Sequence, residues 1–305
     1  MLSQRIKGAT GTPTPPPTAA QYIAVAHSTT PFITAYPWSG SGFGTKFANP
    51  ETLPAGDGRG VAFSPAGDAI AVGHFITPFI TAYPWSGSGF GTKFANPATL
   101  PSNTGLGVAF SPAGDAIAVA HQSTPRIAAY PWSGSGFGTK FANPATLPGT
   151  GSTGFAYGVA FSPAGDAIAV GHSTSPFITA YPWSASGFGT KFTNPATLPA
   201  GDGNGVAFSP AGDVIAVAHP STPFITAYPW SASGFGTKFA NPATLPGSTA
   251  YGVAFSPAGD AIAVAHQSTP FVTAYPWSGS GFGTKFANPA TLPTGLSIGV
   301  AFTQV

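Results

Sequence analysis

The stretch GVAFSPAGDAIAVAH, residues 107–121, is the clearest sign of the architecture, because almost the same fifteen letters recur from Gly60, Gly158, Gly205 and Gly252. The repeat provides six equivalent histidines, spaced 47, 47, 51, 47 and 47 residues apart: His27, His74, His121, His172, His219 and His266. A catalytic centre usually needs one asymmetric cluster of unlike groups, so an active site is not expected to be copied in this way. The repetition therefore indicates architecture before chemistry.

Each repeat reads as four short strands joined by tight turns. GVAFS is followed by the turn PAGD, where Pro and Gly supply the backbone angles of a hairpin, and AIAVAH comes next. FITAYPW is the third strand and FGTKFANP the fourth, ended by a proline that cannot donate to a ladder. In the second strand large residues alternate with small ones, as Ile70 and Val72 do with Ala71, which predicts that both faces of the sheet are buried. This pattern is typical of a propeller blade.

The sequence predicts an all-β fold, a six-bladed β-propeller of four-stranded antiparallel blades. We expect an extended Pro/Thr-rich N-terminal arm over residues 1–20 and the propeller over residues 21–305. The blade units run over 21–54 with 299–305, and over 60–101, 107–148, 158–199, 205–246 and 252–293. Since the first copy begins at its second strand and the last seven residues read as a lone first strand, the C-terminal strand is expected to join the N-terminal blade and close the ring.

Composition argues against several classes of protein. Only 6% of the 305 residues are charged, against about 25% in an average soluble domain, and the formal net charge is +2. The basic residues are scattered singly, so no nucleic-acid partner is expected. Gly, Pro or a polar residue interrupts every apolar stretch, so no membrane span is expected either. The absence of Cys excludes disulfides and thiolate metal sites, and residues 1–20 lack the apolar core of a secretory signal.

The repeated polar residues do not indicate catalysis. The six histidines would lie too far apart in a ring to share one metal ion, and we interpret them as buried side chains that hydrogen-bond loop carbonyls. The Asp of each PAGD turn is interpreted as a cap of its own turn. The Lys of each GTKF segment is expected on the outermost strand, where it discourages edge-to-edge aggregation. We therefore predict no catalytic residue, no metal site, no cofactor and no enzyme activity.

Differences between the copies are concentrated in two connections, the turn before the third strand and the loop before the first strand. The loop after the third copy is four residues longer than the others, and Arg126 replaces a Phe. Both variable connections fall on one face of an up-and-down blade, which makes that face a candidate for recognition, although neutral variation of exposed loops gives the same pattern. The candidate ligand-binding residues are Arg59, Leu106, Phe155, Tyr157, Asn204, Tyr251 and Ile298.

The hairpin VAFSPAGDAIAV resembles the first hairpin of WD40-family repeats, which implies a propeller with GVAFS as its innermost strand. AYPW stands where that family has its Trp-Asp pair, so the family's internal hydrogen-bond network is not carried over. The AVAH strand and the TLP loop also resemble repeat proteins found among the virion components of tailed bacteriophages.

The second resemblance implies a nonenzymatic structural or decoration module on the surface of a phage-like virion, in the capsid or the tail. Other virion subunits would hold the arm, with contacts at Leu2, Arg5, Ile6 and Lys7. The alternative is a lectin-like module that binds a cell-surface glycan through the variable face, because aromatic rings with hydrogen-bonding neighbours suit sugars. An enzyme is the third alternative, and it requires an unrepeated acid on that face, for which Asp57 and Asp202 qualify.

Overall fold

Six copies of the repeat form six antiparallel sheets, arranged as the blades of a propeller, in the computed structural model of the chain. The structure describes residues 21–39, 42–149, 151, 154–293, 295 and 297–300. It confirms the predicted all-β, six-bladed fold. The predicted arm, residues 1–20, and the end of the predicted closing strand, residues 301–305, lie outside the described residues. No helix in the described part of the chain is long and apolar enough to cross a membrane.

The four strands of a blade follow one another in sequence. The inner strands are β4 (Gly58–Phe63), β8 (Gly105–Phe110), β12 (Ala156–Phe161), β16 (Gly205–Phe208) and β20 (Ala250–Phe255). The second strands are β1 (Gln21–Ala26), β5 (Ala69–His74), β9 (Ala116–His121), β13 (Ala167–His172), β17 (Val214–Ala218) and β21 (Ala261–His266). The third strands are β2 (Ile33–Ser39), β6 (Ile80–Ser86), β10 (Ile127–Ser133), β14 (Ile178–Ser184), β18 (Ile225–Ser231) and β22 (Val272–Ser278). The fourth strands are β3 (Gly42–Phe43), β7 (Gly89–Phe90), β11 (Gly136–Phe137), β15 (Gly187–Phe188), β19 (Gly234–Phe235) and β23 (Gly281–Phe282).

Five blades have four strands, and the first blade has three among the described residues, β1, β2 and β3. The second strands of the interior blades are buried on both faces, as the alternation of large and small residues predicts; every residue of β5, β9 and β13 is buried. Small residues on one strand face small residues on the next, since Ala71 pairs with Ala62 and with Ala82. This pairing lets neighbouring blades approach closely along the whole second strand.

The fourth strand is much shorter than predicted. Only its Gly-Phe pair forms a ladder with the third strand, as Gly89 and Phe90 do in the second blade. The chain then stays beside the third strand through single hydrogen bonds, such as Phe94 N to Ala82 O at 2.9 Å. The prediction that the lysines lie on the outermost strand is therefore wrong. The Lys93 ammonium instead donates to Asn96 and to the Phe94 carbonyl, which holds the turn that follows.

Aromatic rings join each blade to the one before it. The Trp of the third strand packs edge-to-face against three Phe rings, one from its own inner strand, one from its own fourth strand and one from the preceding blade, with centroids 4.9–5.4 Å apart. These tryptophans are Trp85, Trp132, Trp183, Trp230 and Trp277. The neighbouring Tyr also donates its hydroxyl to a Thr carbonyl of the preceding blade, at 2.7–2.8 Å. Five boundaries between blades share this construction.

Neighbouring inner strands touch each other through their backbones near the propeller axis. A methyl group in place of the Gly60 hydrogen would lie 2.5 Å from the Leu106 carbonyl oxygen, and one on Gly107 would lie 2.5 Å from the Tyr157 carbonyl oxygen. A methyl group would likewise lie 2.7–3.0 Å from a carbonyl oxygen of the following blade at Gly158, Gly205 and Gly252. The GVAF motif needs its glycine because no larger residue allows this approach.

The boundary between the first blade and the sixth, which we call the seam, differs from the other five. Residues 298–300 contact Gly252 as an inner strand would, but a methyl group on Gly299 would meet nothing within 4 Å. Within the described residues Trp38 packs against one Phe ring, Phe43, and no hydrogen bond joins Tyr36 to Thr291. Phe43 is 62% exposed and Phe286 is 48% exposed. The predicted closure by residues 299–305 falls largely outside the described residues.

Candidate functional site

The repeated histidines are structural. In four blades the buried imidazole Nε2 pairs with a Thr hydroxyl of the third strand at 2.8–2.9 Å: His74 with Thr81, His172 with Thr179, His219 with Thr226 and His266 with Thr273. The predicted burial is confirmed at these four histidines and at His121, whereas His27 is only partly buried. Among the described residues, a carbonyl partner of the predicted kind is found at His121, whose Nδ1 pairs with the Gln122 carbonyl at 2.8 Å. Burial lowers the pKa of His74, His172 and His219 to about 4, so these rings are neutral near pH 7.

The repeated aspartates cap their own turns, as predicted. Ser64 Oγ donates to Asp68 Oδ1 at 2.7 Å and accepts from the backbone amides of Asp68 and Ala69. The same arrangement recurs in the later copies. Among the described residues no group of three or more His, Asp or Glu side chains could hold a metal ion.

The unrepeated residues meet at the mouth, the ring of positions directly before the inner-strand glycines on the variable face. The mouth residues are Arg59, Leu106, Tyr157, Asn204, Tyr251 and Ile298. Four of them, Arg59, Leu106, Tyr157 and Tyr251, sit at a β-bulge, where the ladder between the inner and second strands shifts register. A bulge re-aims a side chain out of the sheet and is common beside active sites. The sequence predicts this set of residues but does not show the bulges, because a bulge is a property of the pairing between two strands.

One arc of the mouth is aromatic and polar. It comprises Tyr157, Asn204 and Tyr251, which belong to three consecutive blades. Asn204 is fixed by its side-chain amide, which donates to the Ala250 carbonyl at 2.8 Å. The opposite arc, formed by Ile298, Arg59 and Leu106, is apolar and cationic, and Ile298 is 67% exposed. The mouth therefore has two chemically different halves.

Two copies of the loop AGDG bring an aspartate to the mouth, and their environments differ. Asp57 pairs with Arg59, with 3.5 Å between the carboxylate and the guanidinium. Asp202 has Asn204 in the corresponding position and forms no ion pair among the described residues. Burial raises the pKa of the Asp202 carboxyl, and burial together with the charge of Asp202 raises the pKa of Tyr157. The charge of Asp202 thus acts on the Tyr157 hydroxyl of the aromatic and polar arc.

The longer loop after the third blade places a second aromatic ring, that of Phe155, beside Tyr157. We call these two rings the Phe155–Tyr157 wall. Phe155 is 41% exposed, and its ring lies edge-to-face against Tyr157 with centroids 6.1 Å apart. The Phe155 amide donates to Ser173 Oγ at 2.8 Å, and its carbonyl accepts from the Ser173 amide at 2.9 Å. Phe155 and Tyr157 are therefore in contact, and their assignment as ligand-binding residues stays a prediction.

A second exposed feature lies on the variable face and was not singled out from the sequence. Phe75 and Ile76 are both about half exposed, and the Arg59 guanidinium lies 5.9 Å from the centre of the Phe75 ring. Other copies carry Ser, Thr, Gln or Pro at these positions. The turn FIT of the second copy is the sequence signal that distinguishes it. The candidate arm residues Leu2, Arg5, Ile6 and Lys7 lie outside the described residues.

Comparison with known proteins supports the fold. No family model matches the chain, and no curated protein matches it. Among solved structures, a "putative 6-phosphogluconolactonase" from Bacteroides uniformis superposes with a TM-score of 0.65 at 12% sequence identity, covering 87% of this chain and 81% of that one. At this identity the likeness establishes a shared fold.

This comparison overturns two predictions. The matched structure carries the name of an enzyme, and no comparison links the chain to a virion, so the predicted nonenzymatic virion module is wrong, as is the prediction that enzyme activity is absent. The misleading signal was the AVAH strand and TLP loop, which the propeller needs for packing between blades in any setting. The resemblance to WD40 repeats stays a prediction.

Proposed function

We propose that the mouth is the active site of a hydrolase that opens a neutral, hydroxyl-rich lactone of the sugar class. The observation that carries the proposal is Asp202, one of the two AGDG aspartates, whose pKa is raised by burial and whose charge acts on Tyr157 of the aromatic and polar arc. The name of the matched structure, a 6-phosphogluconolactonase, supports a sugar lactone as the substrate class.

Asp202 is suited to act as a general base. In its ionised form it accepts a proton from a water molecule while the water oxygen bonds to the lactone carbonyl carbon. The ring C–O bond then breaks, the departing alkoxide takes up the proton, and an open-chain hydroxy acid is released. A carboxylate with a raised pKa is a stronger base than an exposed one, which favours the first step.

The rest of the arc would bind and orient the substrate. The rings of Tyr157 and Tyr251 offer apolar faces to the C–H side of a sugar ring, and their hydroxyls hydrogen-bond its polar edge. The Tyr157 hydroxyl is protonated near neutral pH, so it can donate to the lactone carbonyl oxygen. Arg59, the cation among the six mouth residues, lies on the opposite arc and is paired with Asp57. For this reason we propose a neutral lactone rather than a phosphorylated one.

The test compares two aspartates in the same loop motif. Hydrolysis of glucono-δ-lactone would be followed by pH-stat at mildly acidic pH, where uncatalysed opening is slow. We expect Asp202→Asn to lower kcat by about 100-fold or more, the usual contribution of a general base, and Asp57→Asn to leave kcat unchanged. The wild-type rate should also fall as the pH is lowered through the raised pKa of Asp202, because the base must be ionised.

Two outcomes contradict the proposal. The first is a wild-type rate no higher than the uncatalysed rate for both glucono-δ-lactone and its 6-phosphate. The second is an Asp202→Asn variant that keeps full activity. Hydrolysis of the phosphorylated lactone alone would overturn the assignment of a neutral substrate.

A further inference from the structure

The third blade departs from the repeat at two places that the fold brings together. Arg126 stands where the other five blades have Phe, and the loop that follows this blade is the one that is four residues longer. The backbone at the substituted position is unchanged, with φ of 69° at Arg126 and 68° at Phe79. The replacement therefore alters the side chain and leaves the turn as it is in every blade.

The Arg126 side chain is 1% exposed and reaches into the long loop. Within the described part of that loop, its guanidinium donates to three carbonyl oxygens: Nη1 to Pro148 at 2.7 Å, Nη2 to Gly151 at 2.7 Å and Nε to Gly154 at 3.4 Å. Gly149, Gly151 and Gly154 all have positive φ values. These angles suit glycine, and they let the loop turn its carbonyls inward to the guanidinium. One side chain thus binds this loop near its start, at Gly151 and near its end by charge-assisted hydrogen bonds.

The held loop leads directly to the mouth. Phe155 follows the Gly154 carbonyl that Arg126 binds, and its ring packs against Tyr157. Phe155 is also bridged to Gln122 of the third blade and bonded to Ser173 of the fourth. Arg126 therefore binds the loop through its carbonyls, and the contacts of Phe155 with Gln122 and Ser173 hold the end of the loop.

We propose that Arg126 is a positioning residue that preorganises the Phe155–Tyr157 wall of the mouth for ligand binding. The inference rests on the proposed function for its ligand, but the ordering of the loop is a property of the chain alone. Arg126 is buried and acts through the loop rather than by touching the ligand.

The experiment has one readout that is independent of activity. In Arg126→Phe, which restores the residue of the other blades, amide hydrogen exchange in residues 148–157 should become faster, while exchange in the equivalent loop at residues 246–251 stays the same. For glucono-δ-lactone, KM should rise about tenfold with kcat nearly unchanged, the size expected when two aromatic side chains must be ordered on binding. Arg126→Lys, which keeps the charge but loses the fork, should recover only part of the protection.

A second variant separates positioning from general stability. Arg126→Phe combined with deletion of residues 150–153 gives a blade and loop of the common length, which should fold with normal stability and still show the raised KM. Unchanged exchange in Arg126→Phe would overturn the inference whatever the activity. An unchanged KM in an active enzyme whose loop exchanges faster would show that the loop does not position the wall. If the wild type lacks lactonase activity, the exchange result still decides whether Arg126 holds the loop, and only the proposed function fails.

Discussion

At the residue scale, the repeated histidine has different hydrogen-bond partners in different blades. Four histidines pair with a Thr hydroxyl of the third strand, but the third blade has Ala128 at that position. His121 consequently turns to the Gln122 carbonyl, and its Nε2 has no hydrogen-bond partner among the described residues. All five of these imidazoles are fully buried, and burial lowers the pKa of each.

The buried histidines should make the protein sensitive to acid. Their pKa is about 4 in the folded chain at His74, His172 and His219, against 6.5 for an exposed imidazole. Between these values the unfolded state binds more protons, so the free energy of unfolding falls as the pH drops from about 6.5 to about 4, by about 3 kcal/mol for each histidine. Above this window the three histidines contribute no pH dependence. Urea denaturation at a series of pH values tests this, and a flat profile through the window would contradict it.

At the element scale, the inner strand is defined by its glycine. The chain carries Gly at all six equivalent positions, where a methyl group would collide with the next blade at five of them. In the turn between the third and fourth strands, by contrast, Ala can replace Gly: Ala185 and Ala232 stand where the third blade has Gly134. Close approach of two backbones, rather than turn geometry, explains the difference.

Gly107→Ala should therefore destabilise the protein, and Gly134→Ala should not. The Gly107 methyl would meet the Tyr157 carbonyl oxygen at 2.5 Å and force two inner strands apart, at a cost of about 1–3 kcal/mol. The Gly134 methyl meets nothing within 4 Å, so its effect should stay within about 0.5 kcal/mol. Chemical denaturation measures both. Equal effects would show that the inner strands can separate without cost.

The strands and turns also show how much of the fold can be predicted from the sequence. Strand order and burial follow from the spacing of the repeat and from the large-small alternation of AIAVAH. The end of the fourth strand could not be predicted from the sequence. It is followed by a turn that a hydrogen bond between the Lys93 and Asn96 side chains holds, and no periodic pattern reveals that bond. The mouth residues were recognisable as differences between copies. The role of Arg126 was not, because its carbonyl partners lie 22 to 28 residues away in the chain.

At the scale of the whole molecule, five boundaries between blades share one design, and the described part of the seam does not show it. Each of the five has a Trp among three Phe rings and a Tyr hydroxyl bonded to the preceding blade. At the seam Trp38 is only half-buried, and one side of each terminal blade remains partly exposed. Among the described residues, the seam is thus the boundary at which the usual contacts are incomplete.

One Tyr→Phe variant at a complete boundary and one at the seam measure the difference in stability between the two kinds of boundary. Tyr130→Phe removes the hydroxyl that donates to Thr99 across a complete boundary, which should cost about 1–2 kcal/mol because a buried carbonyl loses its partner. Tyr36→Phe at the seam should change the free energy of unfolding by less than about 0.5 kcal/mol. A loss at Tyr36 equal to that at Tyr130 would show that the seam is bonded like the other boundaries.

The seam also has a consequence for the way in which the molecule comes apart. In an array of near-identical units that touch only their neighbours, stability is close to a sum over units and interfaces, so unfolding is expected to begin at the boundary with the fewest contacts among the described residues. Denaturant is expected to peel the first and sixth blades away before the blades between them, and limited proteolysis to trim the chain from both ends inward. On this expectation, the propeller unfolds as a linear array of six blades does, from its two ends, rather than as a uniformly closed ring.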